Sequence, residues 1–413
     1  MQTVSEPLPG DLPQVAHRLT RYHDVLEAFR SPALSTLVND GTEPFRGGTV
    51  LRIEGESHHK RRKTLGRLLR GDGDRWFREE VLFPTIRRNL DRVLGDPGHA
   101  GPPSVDTVVF ARQAFFQLAA SLIGLSDVDD GDRADELRQF YAPVQAAMGG
   151  WMEGGDREAR VRRGLEVKEE FRRRYYEPAY AEHARLAEAV AQGAGSSDDL
   201  PHDLLSLITS GADPAWTAEP DLAMRESMTD MLNAGTSSTS ATLVWALHET
   251  LAWIDAHPDD RALATDATFL SGAVQESLRM HTTLPLFFRT AVENVELSSG
   301  TLIHAGELIA LEINRANRDT SVFGPDADVY NPRRQVAPGV YPYGVAFGSG
   351  RHMCFGLPIV LGSDGVNGSH TQLLKAFFEA GIEPHPTEAP AKKQETMRDT
   401  WESYPVVFRG RAR

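Results

Sequence analysis

The chain of 413 residues carries 44 Lys and Arg against 58 Asp and Glu, a formal net charge of −14, and 40% of its residues are hydrophobic. That length allows several domains or one extended helical core, and the composition is that of an ordinary globular protein. The acidic balance has the wrong sign for a protein held on phosphates by counterion release, which argues against nucleic acid as a partner.

The N-terminal run MQTVSEPLPGDLPQ has neither a basic start nor an apolar stretch, so no signal peptide or membrane anchor is indicated, and the chain reads as cytoplasmic. Residues 1–18 form an N-terminal extension ahead of LTRYHDVLEAF. Apolar residues at helical spacing then predict helices over 22–30, 57–70, 76–94, 105–124, 132–148, 157–192, 219–252, 268–280 and 355–380. Gly, Pro, Asp and Ser clusters near 95–103, 193–202 and 210–215 mark loops between them. Met231 to His248 has the length of a membrane span but holds Asn233 and many hydroxyl residues, so a buried helix is the better reading. Strand signals are sparse: Val292–Leu297 alternates, Ser299-Gly300 suits a turn into Thr301-Leu302-Ile303, and Glu307–Ile313 follows. After Arg315 comes a long irregular run rich in Asn, Asp, Pro, Gly and Tyr, the kind of coil that is often functional in a compact domain.

Chemistry-bearing residues fall in the same order. Gly55–Leu69 is basic within an acidic chain, and His58 and Arg62 lie four apart on one helical face; the segment reads either as an anion partner or as a solvated basic helix. The run Ala234-Gly235-Thr236-Ser237-Ser238-Thr239-Ser240 lowers local helix propensity by roughly 3 kcal/mol relative to alanine, so burial, back-bonding to carbonyls or a ligand must offset it. Glu276 and Arg279 are three apart on a helix face, a spacing that alone signifies little. Leu284, Leu286 and Phe287 precede Arg289 in an apolar, strand-like run.

Cys354 is the only cysteine, which excludes an intramolecular disulfide, fits a reducing compartment and leaves metal ligation or nucleophilic chemistry open. It stands in FGSGRHMCFG, residues 347–356, ahead of an apolar helical pattern. Glycines there permit positive φ and close approach of a flat ligand, and amides at a helix start favour a thiolate. A buried structural cysteine in a Gly-rich turn is the alternative. A cysteine hydrolase is the weaker reading, since no adjacent base-orienting arrangement is legible.

Those ten residues match Phe-Gly-x-Gly-x-His-x-Cys-x-Gly at every fixed position, and on them the chain resembles the cytochrome P-450 family, from about residue 19 to the C-terminus. The resemblance implies a mainly α, single-domain fold with small β-sheets, residues 19–413 forming the haem domain and the family's first helix short or absent. It implies haem b between the 219–252 and 355–380 helices under a mostly apolar distal pocket, with Cys354 as the iron ligand, Phe347 beneath the haem, and Gly348 and Gly356 in the cradle. His352 would bond a propionate, joined by His58, Arg62 and Arg289. Glu276 and Arg279 match the family's E-x-x-R pair, and Arg333, in FGPDADVYNPRR, would complete a brace for the cysteine loop. Leu284, Leu286 and Phe287 would face substrate.

The chain also departs from the family. Where the pattern Ala/Gly-Gly-x-Asp/Glu-Thr-Thr usually stands, Ala234 and Gly235 agree and Thr239 keeps the second Thr, but Ser237 replaces the acid and Ser238 the first Thr. A serine keeps a hydroxyl hydrogen bond without a carboxylate's acidity, so water or substrate must complete proton delivery. Ser57 and Lys60 stand where the family's basic helix has Glu and Arg, and Ile359-Val360-Leu361-Gly362-Ser363 replaces Leu-Ala-Arg-x-Glu. The implied activity is oxygen-dependent oxidation of a small organic, secondary-metabolite-like substrate; coupling, rearrangement or nitration is the enzymatic alternative, and a non-catalytic haem sensor a remote one. With no flavin or ferredoxin segment legible, electrons are expected from a separate ferredoxin or flavodoxin, docking on a basic face around Arg61, Arg67 and Arg70. Neither nucleic acid nor membrane is expected as a partner.

Overall fold

The computed structural model describes residues 12–38, 42–95, 102–149, 155–196, 200–394 and 396–410. Residues 1–11 of the expected N-terminal extension, and 96–101 and 197–199 of the expected loops, lie outside the described residues. The helices that matter to function are α1 (Tyr22–Arg30), α2 (Gly55–Leu65), α3 (Ala234–Ala256), α4 (Ala267–Met280), α5 (Leu357–Leu361) and α6 (Ser369–Glu379). Contacts gather the chain into two compact units, one of Met1–Val38, Leu90–Ala111 and Ser238–Arg413, the other of Asn39–Asn89 and Arg112–Ser237.

In the first unit a four-stranded sheet is built from β1 (His17–Leu19), β2 (Leu34–Ser35), β3 (Leu286–Ala291) and β4 (Leu308–Glu312), in the order β1-β4-β3-β2. β1 runs parallel to β4 with His17 opposite Ile309, and β3 is antiparallel to β4 with Phe287 opposite Leu311. The stripe Tyr22, Val25, Leu26 and Phe29 of α1 joins one buried cluster with Ile309, Leu311 and Ile313. Each such side chain contributes about 1.5–3 kcal/mol when fully withdrawn from water. The helix start is tied down where Tyr22 N donates to Asp319 Oδ2 at 3.0 Å. α4 is capped by Asp266, whose Oδ1 accepts from Phe269 N at 2.8 Å, satisfying an amide the helix cannot.

The second unit is helical. Gly131–Met148 and Arg157–Phe171 approach so closely that a Cβ on Gly164 would lie 2.5 Å from that of Ala147. Tyr141 is fully buried between them, donating to Met228 O at 2.9 Å and packing its ring 5.4 Å from Phe171.

The expected helices exist, with instructive interruptions. π-helical turns at Phe77–Leu82, Arg172–Tyr176 and Ser227–Asn233 break the 76–94, 157–192 and 219–252 patterns. One inserted residue per turn shifts the stripe too little for periodicity to reveal it. The single helix expected over 355–380 is two, α5 and α6, separated by the loop 362–368, GSDGVNG. Gly362 has φ 84°, Asp364 Oδ1 accepts from Val366 N and Asn367 N at 2.9 and 2.8 Å, and the loop's ends meet so tightly that a Cβ on Gly368 would sit 2.2 Å from Val360 O. Strand pairing in the expected Val292–Leu297 segment is confined to Val295–Glu296 against Leu302–Ile303, while β3, one turn earlier, is the longer strand. Among the described residues no helix is long and apolar enough to cross a membrane.

Candidate functional site

Cys354 lies in an irregular loop whose backbone closes on itself. Its N–H donates to Phe347 O at 2.8 Å, Gly348 N to Val345 O at 2.9 Å and Met353 N to Gly350 O at 3.2 Å. Gly348 and Gly350 have φ of 65° and 71°, a left-handed conformation that side chains resist. Gly350 also abuts α1: a Cβ there would lie 2.9 Å from Phe29 O, and beside it Arg30 Nε donates to Ser349 Oγ at 3.0 Å. The thiol itself is exposed, so the alternative of a buried structural cysteine is excluded. A Cβ on Gly356 would come 3.8 Å from Sγ, an ordinary van der Waals contact. Phe347 stands edge-on to Tyr343, 5.1 Å between centroids, and His352 is half-buried. α5 has only five residues, too few for a long helix dipole beside Cys354.

Behind this loop lies a buried charge cluster. Glu276 bridges two arginines: Arg279 Nε donates to Oε2 at 2.7 Å and Nη2 to Oε1 at 2.8 Å, while Arg334 Nε donates to Oε1 at 2.9 Å. Glu276 is 3% exposed and Arg279 0%, and the remaining guanidinium protons reach backbone carbonyls of Asn317 and Ala327 from Arg279, and of Phe323, Asp326 and Val329 from Arg334. Burial opposes the charge on Arg334, but the bonds from Asp326 and Glu276 outweigh it and hold its pKa above the ordinary guanidinium value. The third member of the brace is therefore Arg334, not Arg333. A turn closed by Arg334 N to Asn331 O at 2.9 Å sends successive side chains to opposite sides, and Arg333 points outward to Asp260. The coil can lie this close because residue 272 is glycine; a Cβ there would be 2.4 Å from Pro332 O.

The brace reaches the loop through Asn317, a residue the sequence reading missed. Its Nδ2 donates to Arg279 O at 3.1 Å, and its Oδ1 accepts from Val345 N at 2.7 Å, two residues before Phe347. Gly344, at φ 62°, lets the backbone pass, since a Cβ there would fall 2.1 Å from the same oxygen. Nothing in local composition marks Asn317; only the convergence of two distant carbonyl and amide groups does.

On β3, Arg289 is buried, donates to Phe288 O at 2.8 Å and stacks its guanidinium 5.2 Å from the Phe29 ring. Phe287, on the same face, packs edge-on against Phe29 at 5.5 Å. Strand side chains alternate, so Leu286 and Phe287 face opposite sides and cannot line one pocket together with Leu284. Phe287 is half-buried and packs against the core cluster, and Leu284 is half-buried outside it. In the second unit, α2 buries His58 and leaves Arg62 half-exposed. Arg61, expected on a docking face, is buried: it pairs with Asp213, donates to Glu226 Oε2 at 2.6 Å and lies 5.2 Å from the Trp216 ring. One helical position decides this, because 58, 61 and 65 form the buried stripe and 60, 63, 67 and 70 stay exposed.

A family model for Cytochrome P450 matches residues 255–360, the stretch containing the Glu276 brace and the cysteine loop. The chain is 25% identical to Nocardicin C N-oxygenase of Nocardia uniformis subsp. tsuyamanensis over 89% of its length and 81% of that protein's. It is 28% identical to Bifunctional cytochrome P450/NADPH--P450 reductase 2 of Bacillus subtilis over 42% of its length, a match spanning only 18% of that protein. Among solved structures, the fold matches the crystal structure of CalO2 with a TM-score of 0.69 at 20% identity, covering 95% of this chain and 90% of that one. Over that segment, and in its fold, the chain is similar to the cytochrome P450 family.

That likeness implies a haem iron cofactor. The donor set fits one: an exposed cysteine offers a sulfur ligand, and Arg289 offers a cation for a carboxylate. In this chain the hydroxyl-rich run lies inside the α-helical part of α3, and the irregular backbone lies one turn earlier, at the π-helical Ser227–Asn233. Hydroxyls bond back along the helix, from Thr236 Oγ1 to Leu232 O at 2.5 Å and from Thr242 Oγ1 to Ser238 O at 3.0 Å. Ala234 is exposed and Gly235 is half-buried, where a Cβ would meet that of Ala119 at 3.3 Å. Ser237 and Ser238 are half-buried, and Thr239 is buried.

Proposed function

We propose that the protein is a haem-thiolate monooxygenase holding haem b within residues 19–413, acting on a small organic substrate of the secondary-metabolite kind in the cytoplasm. The observation that carries the reading is the exposed Cys354 thiol on a loop fixed from behind by Glu276, Arg279 and Arg334. When bound through thiolate, haem supplies oxygen activation, because an electron-rich axial sulfur favours O–O cleavage. Cys354 is the ligand in this proposal, with Phe347, Gly348, Gly356, Ala234 and Gly235 as its contacts. Arg289 and His352 serve as propionate donors, and the sequence resemblance adds His58 and Arg62. Ser237, Ser238 and Thr239 hold hydroxyls near substrate, Leu284 and Leu286 supply apolar contacts, and water or a substrate group completes the proton path that a carboxylate at 237 would otherwise serve.

The nature of the relative Nocardicin C N-oxygenase supports a nitrogenous or otherwise elaborated secondary metabolite as substrate. Electrons come from a separate ferredoxin or flavodoxin. Arg67 and Arg70, both exposed, remain as the basic docking contacts once Arg61 is withdrawn. Ser237 at the acid position favours a second reading, in which the same site performs oxidative coupling, rearrangement or nitration. Turnover under oxygen-18 dioxygen with ferredoxin and its reductase separates them: one labelled atom in the product supports monooxygenation, and an unlabelled coupled or rearranged product supports the second. Haem binding without turnover by any donor would point instead to the remote sensor reading.

A further inference from the structure

We propose that His370 is a positioning residue: a neutral imidazole that donates to the Thr242 hydroxyl and thereby fixes the helix carbonyls at Ser238 and Thr239. It rests on the reading of Ser238 as a group near substrate and identifies what holds that group in place.

His370 lies in the first turn of α6, where Ser369, His370 and Thr371 are all fully buried. The loop 362–368 splits the expected long helix and delivers this polar first turn into the interior, on the same stripe as Leu374 and Phe377. Its Nε2 is 2.8 Å from Thr242 Oγ1. Thr242 Oγ1 in turn lies 3.0 Å from Ser238 O and 3.1 Å from Thr239 O. A hydroxyl has one proton, and carbonyls only accept, so that proton goes to Ser238 O and Thr239 O. Thr242 Oγ1 then accepts from His370 in the proposed Nε2–H tautomer, and the imidazole also bonds the Thr239 backbone. The other ring nitrogen is left as an acceptor, 3.3 Å from Ser369 Oγ. Complete burial holds His370 uncharged, pushing its pKa down to about 3.

The consequence for α3 is mechanical. A threonine that bonds its i−4 carbonyl competes with the backbone amide and bends the axis. A donor to the threonine oxygen polarises the hydroxyl and strengthens that bond. The helix direction at Ser238 is therefore set from outside the helix by an imidazole, in a chain lacking the acid–Thr pair.

The test uses holoprotein carrying Thr242→Val, His370→Leu, both together, and His370→Gln, whose amide nitrogen replaces Nε2–H. Two readouts are the C–O stretch of the reduced carbon monoxide complex and product formed per reducing equivalent. Thr242→Val and His370→Leu should each lower that yield roughly fivefold, the equivalent of one ordinary hydrogen bond, and move the stretch in the same direction. The double variant should be no worse than either single one, and His370→Gln should stay near wild type. Additive losses, or unchanged yield and stretch in both single variants, would overturn the inference. If His370→Leu does not fold, Thr242→Val and His370→Gln decide it: a change in the first and none in the second supports it, and the reverse defeats it. Nitrogen-15 spectra of the His370 ring give a readout independent of haem chemistry. A protonated Nε2 whose signal moves in Thr242→Val supports the bond, and a bare Nε2 refutes it. A wild-type protein without a thiolate Soret band would defeat the monooxygenase reading, and the ring spectrum alone would then judge the inference.

Discussion

The loop carrying Cys354 and the hydroxyl-rich stretch of α3 both present polar groups from poor intrinsic structure, but they are held in different ways. The loop has no repeating hydrogen bonds of its own and relies on left-handed glycines and on a buried cluster of one carboxylate and two guanidiniums, relayed by Asn317. The helix satisfies the hydroxyls of Thr236 and Thr242 against its own carbonyls, with one neutral imidazole added from α6. Charge is used where backbone geometry must be imposed from outside. Neutral hydrogen bonds suffice where a helix already supplies the geometry. Losing one member of the first arrangement leaves an uncompensated buried charge, whereas losing one hydroxyl of the second leaves a helix.

The largest effect should follow Glu276→Leu, which strands Arg279 and Arg334; about 3–5 kcal/mol is the usual cost of orphaning a buried charge, visible as a lower urea midpoint together with loss of haem. Asn317→Ala should come next, at about 1–3 kcal/mol, because it leaves Val345 N and Arg279 O without their side-chain partner; a haem-retention assay would show whether the relay matters to the loop specifically. Ser238→Ala should alter product per reducing equivalent by less than the hundredfold minimum of the roughly 10²–10⁴ range of a proton-transfer group, since water or substrate completes the path. A loss beyond that would make Ser238 itself the relay and erase the contrast between the regions. Arg333→Ala should be the mildest, within about 0.5 kcal/mol, as befits an exposed partner of Asp260; an effect as large as that of Arg334→Ala would reverse the assignment of the brace.

Much of this was legible from residue types. Positions 347–356 declare a cysteine loop because its glycines have conformational work that other residues cannot do, and the apolar stripe of α1 survives intact in the structure. Glu276 and Arg279 were visible as a pair, but which of two adjacent arginines completes them depends on a turn at Asn331, and sequence spacing does not resolve a one-residue choice. The same limit placed Arg61 on the surface: the error is one position on a helix, enough to turn a side chain to another face. His370 was overlooked because a single helix was read through GSDGVNG, although its place on the stripe with Leu374 and Phe377 marks it as buried.

The central claim is that Cys354 presents its sulfur to haem iron as a thiolate. The reduced carbon monoxide complex of the wild-type protein, compared with Cys354→Ala and Cys354→Ser at equal haem content, tests it most directly. The account predicts the red-shifted Soret band of a thiolate ligand in the wild type and its complete loss in both variants. A wild-type complex without that band, or a variant that keeps it, would contradict the account.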